Sequence, residues 1–342
     1  MQEEGRFQIL DARVPEDRDE WLARWSAWPN RECTAHPAYS ELFARSCDKA
    51  LCAALGGAGG GILFPFILRP LAAERWAGET SSFYDISTPY GYGGPFAWGH
   101  TDGDYFWREF DNWAESMNVV SLFARLSLFP EQMIPFKGGI EVRGRNIVRT
   151  LTLDSCALWM DYRHCVRKHI KVAQRAGLEV EPDFTGEKLE GFLAIYYSTM
   201  TRRNAEDSYF FPKEFFQRIL THLSGQFVFF HTLHKGKSVS TELVLLSRGH
   251  IYSFLGGTLS EAFEFRPNNL LKHAIIEWGR EQGLKSYVLG GGYRDQDGIY
   301  RYKLSFAPTG EVPFRFGKKV YDQKAYEELV RMRRKAEADC GK

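Results

Sequence analysis

Residues 227–255 read FVFFHTLHKGKSVSTELVLLSRGHIYSFL. Three runs rich in apolar and β-branched residues, Phe227 to His234, Ser238 to Leu246 and Ile251 to Leu255, are parted by Lys235-Gly236-Lys237 and Arg248-Gly249-His250. Strands joined by such short turns pair antiparallel, so the stretch predicts a meander. A helical pattern follows from Asn268 to Gln282, then a strand from Ser286 to Leu289. Strand, helix, strand predicts a parallel crossover, right-handed by default. Upstream lie a helix from about Trp159 to Ala176, a strand at Leu178 to Val180, and helices at Leu189 to Arg203 and Pro212 to Leu223. The order is helices, meander, crossover helix, strand, an α/β pattern with a mixed sheet.

Working outward, the first part is also mixed. Pro15 to Trp28 has Pro near its start, acids early and apolar residues at helical spacing, which predicts a helix. Pro37 to Leu55 predicts a second helix, stopped by Gly56-Gly57. Strands are expected at Ile62 to Leu68, Val119 to Leu128 and Ile147 to Leu153, and a helix at Asp104 to Met117. Thr88 to Pro95 (TPYGYGGP) is a loop. Val312 to Tyr321 predicts a strand and Gln323 to Ala338 a charged helix that packs back on the first domain. The expected division is 1–150, completed by 311–342, and 151–310.

A chain of 342 residues suits two domains or one large one. Hydrophobic residues at 44% and charged residues at 25% are ordinary for a soluble globular protein. A net charge of +1 excludes a generic polyanion binder, so nucleic-acid contact needs a local basic surface. The six cysteines, Cys33, Cys47, Cys52, Cys156, Cys165 and Cys340, form no disulfide framework and no CxxC pair. They read as free thiols of a reducing cytoplasm. The start, MQEEGRFQIL, has no signal core, and the longest apolar run, Gly61 to Leu68, is too short to cross a bilayer. The expectation is a cytoplasmic protein, able to meet membrane-attached substrates from the inside.

Short metal-like spacings at Cys33 and His36, and at His231 and His234, lack a partner pair, so no metal is expected. His164, Cys165 and His169 lack an orienting acid for Cys/His nucleophilic chemistry. Gly290-Gly291-Gly292 does not open a helix, so no dinucleotide fingerprint is present.

Residues 290–306, GGGYRDQDGIYRYKLSF, set Lys303 among rings just past three glycines. A fixed cation there suits a developing oxyanion, and glycines such as Gly291 let backbone approach a ligand. The same spacing fits a surface lysine on an amphipathic turn with Tyr302 and Phe306 inward. Arg163, Arg167, Lys171 and Arg175 recur every fourth residue, beside Lys168 and opposite Val166, Ile170 and Ala173. Such a row suits phosphates and also suits a solvated helix face. Arg202 and Arg203 end a helix before Tyr209-Phe210-Phe211. Tyr90 and Tyr92 either stack on a sugar or base or belong to a structural turn. Gly256, Gly257, Asn268 and Asn269 surround the start of the crossover helix, where Asn268 is the expected cap. Asp161 and Asp207 are candidate proton acceptors.

RHCVRKHIKVAQRAGLEV (Arg163 to Val180), TMTRRNAEDSYFF (Thr199 to Phe211) and YRYKLSF (Tyr300 to Phe306) together resemble signatures of the Fem-like branch of the GNAT superfamily. TPYGYGGP is similar to a loop of envelope-polysaccharide relatives. The resemblance implies two tandem GNAT-like acyltransferase domains, each with splayed strands that admit substrate. It implies transfer of an acyl or aminoacyl group to an amine of a cell-envelope, sugar or peptide precursor. Lys303 matches the lysine at the acyl-transfer site in the Tyr-x-x-Lys-x-x-Phe arrangement, with Tyr300 among the substrate contacts, and Arg202 or Arg203 approach phosphates. The co-substrate is aminoacyl-tRNA or acyl-CoA, with no tightly bound cofactor. CoA-dependent GNAT enzymes carry glycines before the crossover helix, where this chain reads FRPNNL, which favours a tRNA acceptor end. The family's first-domain lysine has no counterpart near His36 to Phe43. Two alternatives stand: an acyl-CoA-dependent N-acetyltransferase acting on an amino sugar or amino acid in polysaccharide or secondary-metabolite assembly, and a non-catalytic tandem GNAT scaffold.

Overall fold

The computed structural model describes residues 5–57, 59–77, 82–294 and 296–340, the side chains of Gly57 and Cys340 excepted. Asp295, within the glycine-led stretch quoted above, lies outside the described residues. The chain divides into two compact units, Met1–Arg143 with Phe314–Lys342, and Gly144–Pro313.

The first unit opens with β1 (Gln8–Asp11) and α1 (Pro15–Ala27). Pro15 starts the helix, Glu16 and Asp17 sit at its positive end, and Trp21 and Trp25 turn inward. α2 (Pro37–Phe43) is short and is capped by His36, whose Nδ1 accepts from the Ala38 N–H at 3.2 Å. The helix expected to run on to Leu55 ends there. Lys49–Gly57 is instead a strand, β2, paired with β3 (Gly60–Pro70) from Lys49 opposite Leu68 to Gly57 opposite Gly60. The cause is visible in LCAAL: a run apolar at every position carries neither helical nor strand period. Pairing with the equally apolar GILFPFIL buries both at once.

β4 (Tyr84–Ser87), β5 (Phe96–Gly99), α3 (Gly103–Ser116) and β6 (Val119–Arg125) complete this stretch. The strand order is β1-β2-β3-β4-β6, with β5 on β3. α3 is capped by Asp102, which accepts from the Tyr105 N–H at 2.8 Å. Its Phe106, Trp107 and Phe110 pack on Phe64 and Phe66 of β3 as an aromatic core. β4 and β6 pair in parallel from Tyr84–Val119 to Ser87–Phe123. The Gly/Tyr loop then follows the rest of that strand: the Gly93 N–H donates to Arg125 O at 2.8 Å and the Ser127 N–H to Gly93 O at 2.7 Å.

The second unit contains β7 (Gly139–Thr150, from Gly144), α4 (Ser155–Asp161), α5 (His164–Arg175), β8 (Leu178–Asp183), α6 (Leu189–Arg202) and α7 (Lys213–His222). There follow the meander β9 (Phe227–His234), β10 (Lys237–Leu246), β11 (His250–Thr258), then α8 (Pro267–Glu281), β12 (Ser286–Gly290) and α9 (Gly298–Leu304). The order is β7-β12-β11-β10-β9-β8. The helix expected from Trp159 to Ala176 is two, broken at Tyr162 and Arg163, both extended. β11 and β12 are parallel over three pairs only, His250–Ser286, Ile251–Tyr287 and Tyr252–Val288. Just beyond, Phe254 is an extra residue against β10, because Leu255 faces Leu243 and Ser253 faces Val244. Such a bulge bends its strand, and here the strand leaves its parallel neighbour.

The chain ends in the first unit, with β13 (Glu311–Val320) antiparallel to β6 through Phe316–Val320 and α10 (Gln323–Cys340), which buries Ala325 and Leu329 beside Val120 and Leu71. Cys33, Cys47, Cys52, Cys156 and Cys165 form no disulfide. No helix among the described residues is long and apolar enough to cross a membrane.

Candidate active site

Where β11 and β12 part, the second unit opens a cavity of about 1190 Å³. Its walls are the outer half of β11, the end of α6, the start of α8, and α9 with the loop before it. Gly256 and Gly257 lie on that wall, and packing demands them. A Cβ on Gly256 would stand 2.5 Å from Thr241 O, and one on Gly257 would stand 2.4 Å from Thr199 Oγ1 and 2.8 Å from Ile195 O. β11 is pressed between β10 and α6, so its backbone, without side chains, faces the space.

Among the lining residues is a buried polar cluster. Glu242 of β10 and Lys272 of α8 are each about 4% exposed, and Lys272 Nζ donates to Glu242 Oε1 at 2.6 Å. The same Nζ lies 3.0 Å from Ser253 Oγ and 2.9 Å from the Tyr287 hydroxyl. Ser253 donates to Glu242 Oε1 at 2.6 Å, and the Tyr287 hydroxyl also donates to that oxygen. Four elements, β10, β11, α8 and β12, are thereby tied at one point. A buried ion pair loses most of its hydration, and the hydroxyls replace part of it. Burial lowers the Lys272 pKa against the pull of Glu242, and burial with the Glu242 charge holds the Tyr287 phenol well above its usual range.

Lys303 lines the same cavity. Asp297 caps the short helix that carries it, its Oδ1 accepting from the Tyr300 N–H at 2.8 Å. Lys303 Nζ donates to Gly291 O at 2.7 Å. Burial, and next the positive charge of Lys272, lower its pKa from 10.5 to about 8, opposed by Glu242 and Asp297. The ammonium is still the main form at neutral pH, as an oxyanion partner requires. Tyr302 lies beside it, its hydroxyl donating to Asn268 O at 3.1 Å.

Arg202, Arg203, Arg266 and Arg294 also line the cavity. Arg202 is held over the Phe263 ring at 4.9 Å. Asn268 and Asn269 are on the lining, but Asn268 is not the cap of α8. That place belongs to Arg266, in the left-handed conformation at φ 58°, with Pro267 as first helical residue. Proline has no N–H, so this helix start offers one amide fewer to an anion.

Other sequence candidates lie elsewhere. Arg163, Lys168, Lys171 and Arg175 are exposed on α5, whose Val166, Ile170 and Ala173 face the core. None of the row from Arg163 to Arg175 lines the cavity, although His169 of the same helix does. Arg167 is used in capping α4, donating to Met160 O at 2.9 Å and to Tyr162 O. Lys171 stands 6.0 Å from the Trp159 ring. Tyr300 is buried, with its hydroxyl on Glu311. Gly291 supplies the carbonyl that holds Lys303 and leaves no room for a side chain, since a Cβ would meet Asn146 Oδ1 at 2.8 Å. Asp161 pairs with the buried Arg149, and Asp207 starts an exposed turn off the lining. Tyr90 and Tyr92 belong to the first unit. There the Tyr90 carbonyl accepts from Tyr39 OH at 2.7 Å, and Tyr92 packs on Phe314 at 5.4 Å.

Sequence reasoning missed Glu242, Lys272, Ser253, Tyr287, Arg266 and Arg294. Two of them left a trace: Glu242 is the one acid in VSTELVLL, and Lys272 the one cation in NNLLKHAII. A single charge inside an apolar run is either misplaced or paired.

Residues 160–304 match the family model described as acetyltransferase (GNAT) domain. Comparison of the sequence with curated proteins gives no match. FemX shares the fold with a TM-score of 0.67 at 12% identity, over 94% of this chain and 99% of that one. A C-terminal DUF2156 domain assigned to a lysylphosphatidylglycerol synthetase of Agrobacterium fabrum gives 0.56 at 12%, over 90% and 94%. L-PGS from Bacillus licheniformis gives 0.55 at 12%, over 95% and 96%. Residues 160–304, inside the second unit, thus match an acetyltransferase (GNAT) domain, and the fold over most of the chain is the one seen in FemX.

Proposed function

We propose that the protein transfers an aminoacyl group from aminoacyl-tRNA to the amine of a cell-envelope, sugar or peptide precursor in the cytoplasm. The observation that carries acyl transfer is Lys303 on the lining of the strand gap, its Nζ fixed 2.7 Å from Gly291 O. The amine nitrogen attacks the carbonyl carbon, a C–N bond forms, and the oxygen becomes an oxyanion. Collapse breaks the bond to the carrier, and the carrier oxygen leaves with the proton the amine gives up. The Lys303 ammonium offsets the oxyanion charge, an effect commonly worth ~3 kcal/mol. Holding the two reactants together contributes more, roughly 7–11 kcal/mol. Arg202, Arg203, Arg266 and Arg294 are the groups suited to the phosphates of the carrier or acceptor.

Two features favour an aminoacyl donor. The start of α8 has Pro267 and a left-handed Arg266 in place of a glycine cradle. A fold neighbour is assigned as a synthetase of lysylphosphatidylglycerol, an aminoacylated product. The GNAT acetyltransferase description of residues 160–304 favours the second reading, acyl-CoA-dependent N-acylation of an amino sugar or amino acid. Titration calorimetry with acetyl-CoA, beside transfer assays with charged tRNA, separates them. Transfer from tRNA without acetyl-CoA binding supports the first, and micromolar acetyl-CoA binding sinks it in favour of the second. A Lys303→Ala variant that binds donor but has lost transfer rules out a mere scaffold.

A further inference from the structure

Among the described residues, the carboxylates that line the cavity are Glu206, Glu242 and Asp297. Two of them are fully engaged. Glu242 is taken up by Lys272, Ser253 and Tyr287. Asp297 uses both oxygens on backbone, Oδ1 accepting from the Tyr300 N–H at 2.8 Å, and Oδ2 from the N–H groups of Tyr293 at 2.8 Å and Arg294 at 3.1 Å. Glu206 differs. Its Oε1 accepts from the Tyr293 hydroxyl at 2.7 Å, and among the described residues no cation pairs with it, although Arg202, Arg203, Arg266 and Arg294 line the same cavity.

The place of Glu206 is set from two sides. Asn204, left-handed at φ 49°, turns the chain just past the end of α6. From the other side Tyr293 reaches it out of the loop before α9. That loop is itself fixed, since Lys303 Nζ donates to Gly291 O at 2.7 Å and Asp297, the cap of α9, holds the Tyr293 N–H. Glu206 and Lys303 are therefore anchored to one short stretch of backbone. From Gly291 to Tyr293 an extended chain covers at most about 7 Å. A tyrosine hydroxyl fixes one oxygen of a carboxylate and leaves its charge intact. In a lining otherwise rich in arginine, that charge weakens the hold on phosphate, so it fits a ligand that brings a cation as well.

We propose that Glu206, held by Tyr293, binds an ammonium group carried by the acyl group being transferred, which makes the donor an amino-acid ester and not a plain acyl ester. The proposal rests on the aminoacyl reading given above. The arginines take the phosphates of the carrier, Lys303 faces the carbonyl oxygen, and Glu206 takes the ammonium. An acetyl group has nothing to offer that carboxylate. The ammonium belongs either to the α-carbon or to the far end of the acyl chain.

The probes are amides of 3′-amino-3′-deoxyadenosine, which keep the terminal nucleoside of the carrier and resist hydrolysis. Their acyl part is propionyl, with no ammonium, alanyl, with one on the α-carbon, or ω-aminohexanoyl, with one at the chain end. Calorimetry on the full chain measures each. The alanyl or the aminohexanoyl probe is expected to bind roughly three- to tenfold more tightly than propionyl, and which of them does so shows where the substrate carries its charge. Glu206→Gln keeps an oxygen for the Tyr293 hydroxyl and removes only the charge. Glu206 is exposed, so this variant is expected to fold. It should lose the gain while propionyl binds as before. Tyr293→Phe releases the carboxylate and should reduce the gain, again with propionyl binding unchanged. Equal binding of the three probes by the intact protein, or a gain that survives either substitution in full, overturns the proposal and leaves the carrier reading in place, because the nucleoside is then still bound. If no probe binds, the carrier reading falls and this proposal falls with it.

Discussion

The two units use one device, a strand, a helix and a parallel strand, and end it differently. In the first, β4 stops after four residues, and the loop from Thr88 to Pro95 takes its place along β6 as far as Ser127. The seam is closed by backbone hydrogen bonds and backed by Phe64, Phe66, Phe106, Trp107 and Phe110. In the second, β11 outlasts its partner, nothing follows it, and a cavity of about 1190 Å³ remains. The open seam contains a buried ion pair and a lysine. The difference shows that the strand, helix and parallel strand do not by themselves leave a cavity. One remains where the chain does not fill the gap between the parallel strands, and here charge lies beneath it.

The contrast can be broken most severely at the ion pair. Glu242→Ala strands Lys272 in a dry place, an expected loss of about 3–5 kcal/mol. Urea denaturation gives the size, and amide exchange should show the loss in the second unit with the first unaffected. Next, Lys303→Ala should lower transfer by about 10²–10³ with donor binding retained, measured by single-turnover kinetics. In the intact enzyme the same rate should fall as pH rises through about 8, where the ammonium of Lys303 loses its proton.

A third contrast lies in acid. Burial lowers the pKa of His231 and His250, both in the second unit, from 6.5 to about 4. Their neutral burial stabilises the fold fully above pH 6.5 and is lost as pH falls toward 4, up to about 3 kcal/mol for each. Exchange protection should therefore fail first in strands β9 to β11 on acidification. Uniform loss across both units would remove the contrast. The smallest effect separates two glycines. Gly257→Ala meets Thr199 Oγ1 at 2.4 Å and should cost about 1–3 kcal/mol, while Gly93→Ala meets the Thr88 side chain at 3.3 Å and Arg125 O at 3.4 Å and should cost less than about 1. Thermal melts of the two variants decide the order.

The open unit was the more legible of the two. Its meander was readable because Gly-centred turns cut the apolar runs at Lys235-Gly236-Lys237 and Arg248-Gly249-His250. The closed unit misled at LCAAL, where all-round burial erases the period that separates helix from strand. Lys303, which lines the cavity, was singled out through its Tyr-x-x-Lys-x-x-Phe setting, not through its charge. The row on α5 is present and exposed, but spacing along one helix says nothing of what lies opposite it. Arg167 is an instance, its guanidinium used on the end of α4. Glu242 and Lys272 were invisible for the converse reason. Thirty positions part them, and only the fold makes them neighbours.

The early parting of β11 from β12 has one more result. Among the described residues, strand pairing on that side of β11 stops at Tyr252, while the other side stays laced to β10 as far as Thr258. From Ser253 onward the strand keeps a half-zipped edge. Peptide groups seldom go without partners, so this edge is served by water or by a guest. A guest whose own spine carries amides can dock as a surrogate strand and recover those bonds, whereas a smooth hydrocarbon chain forfeits them.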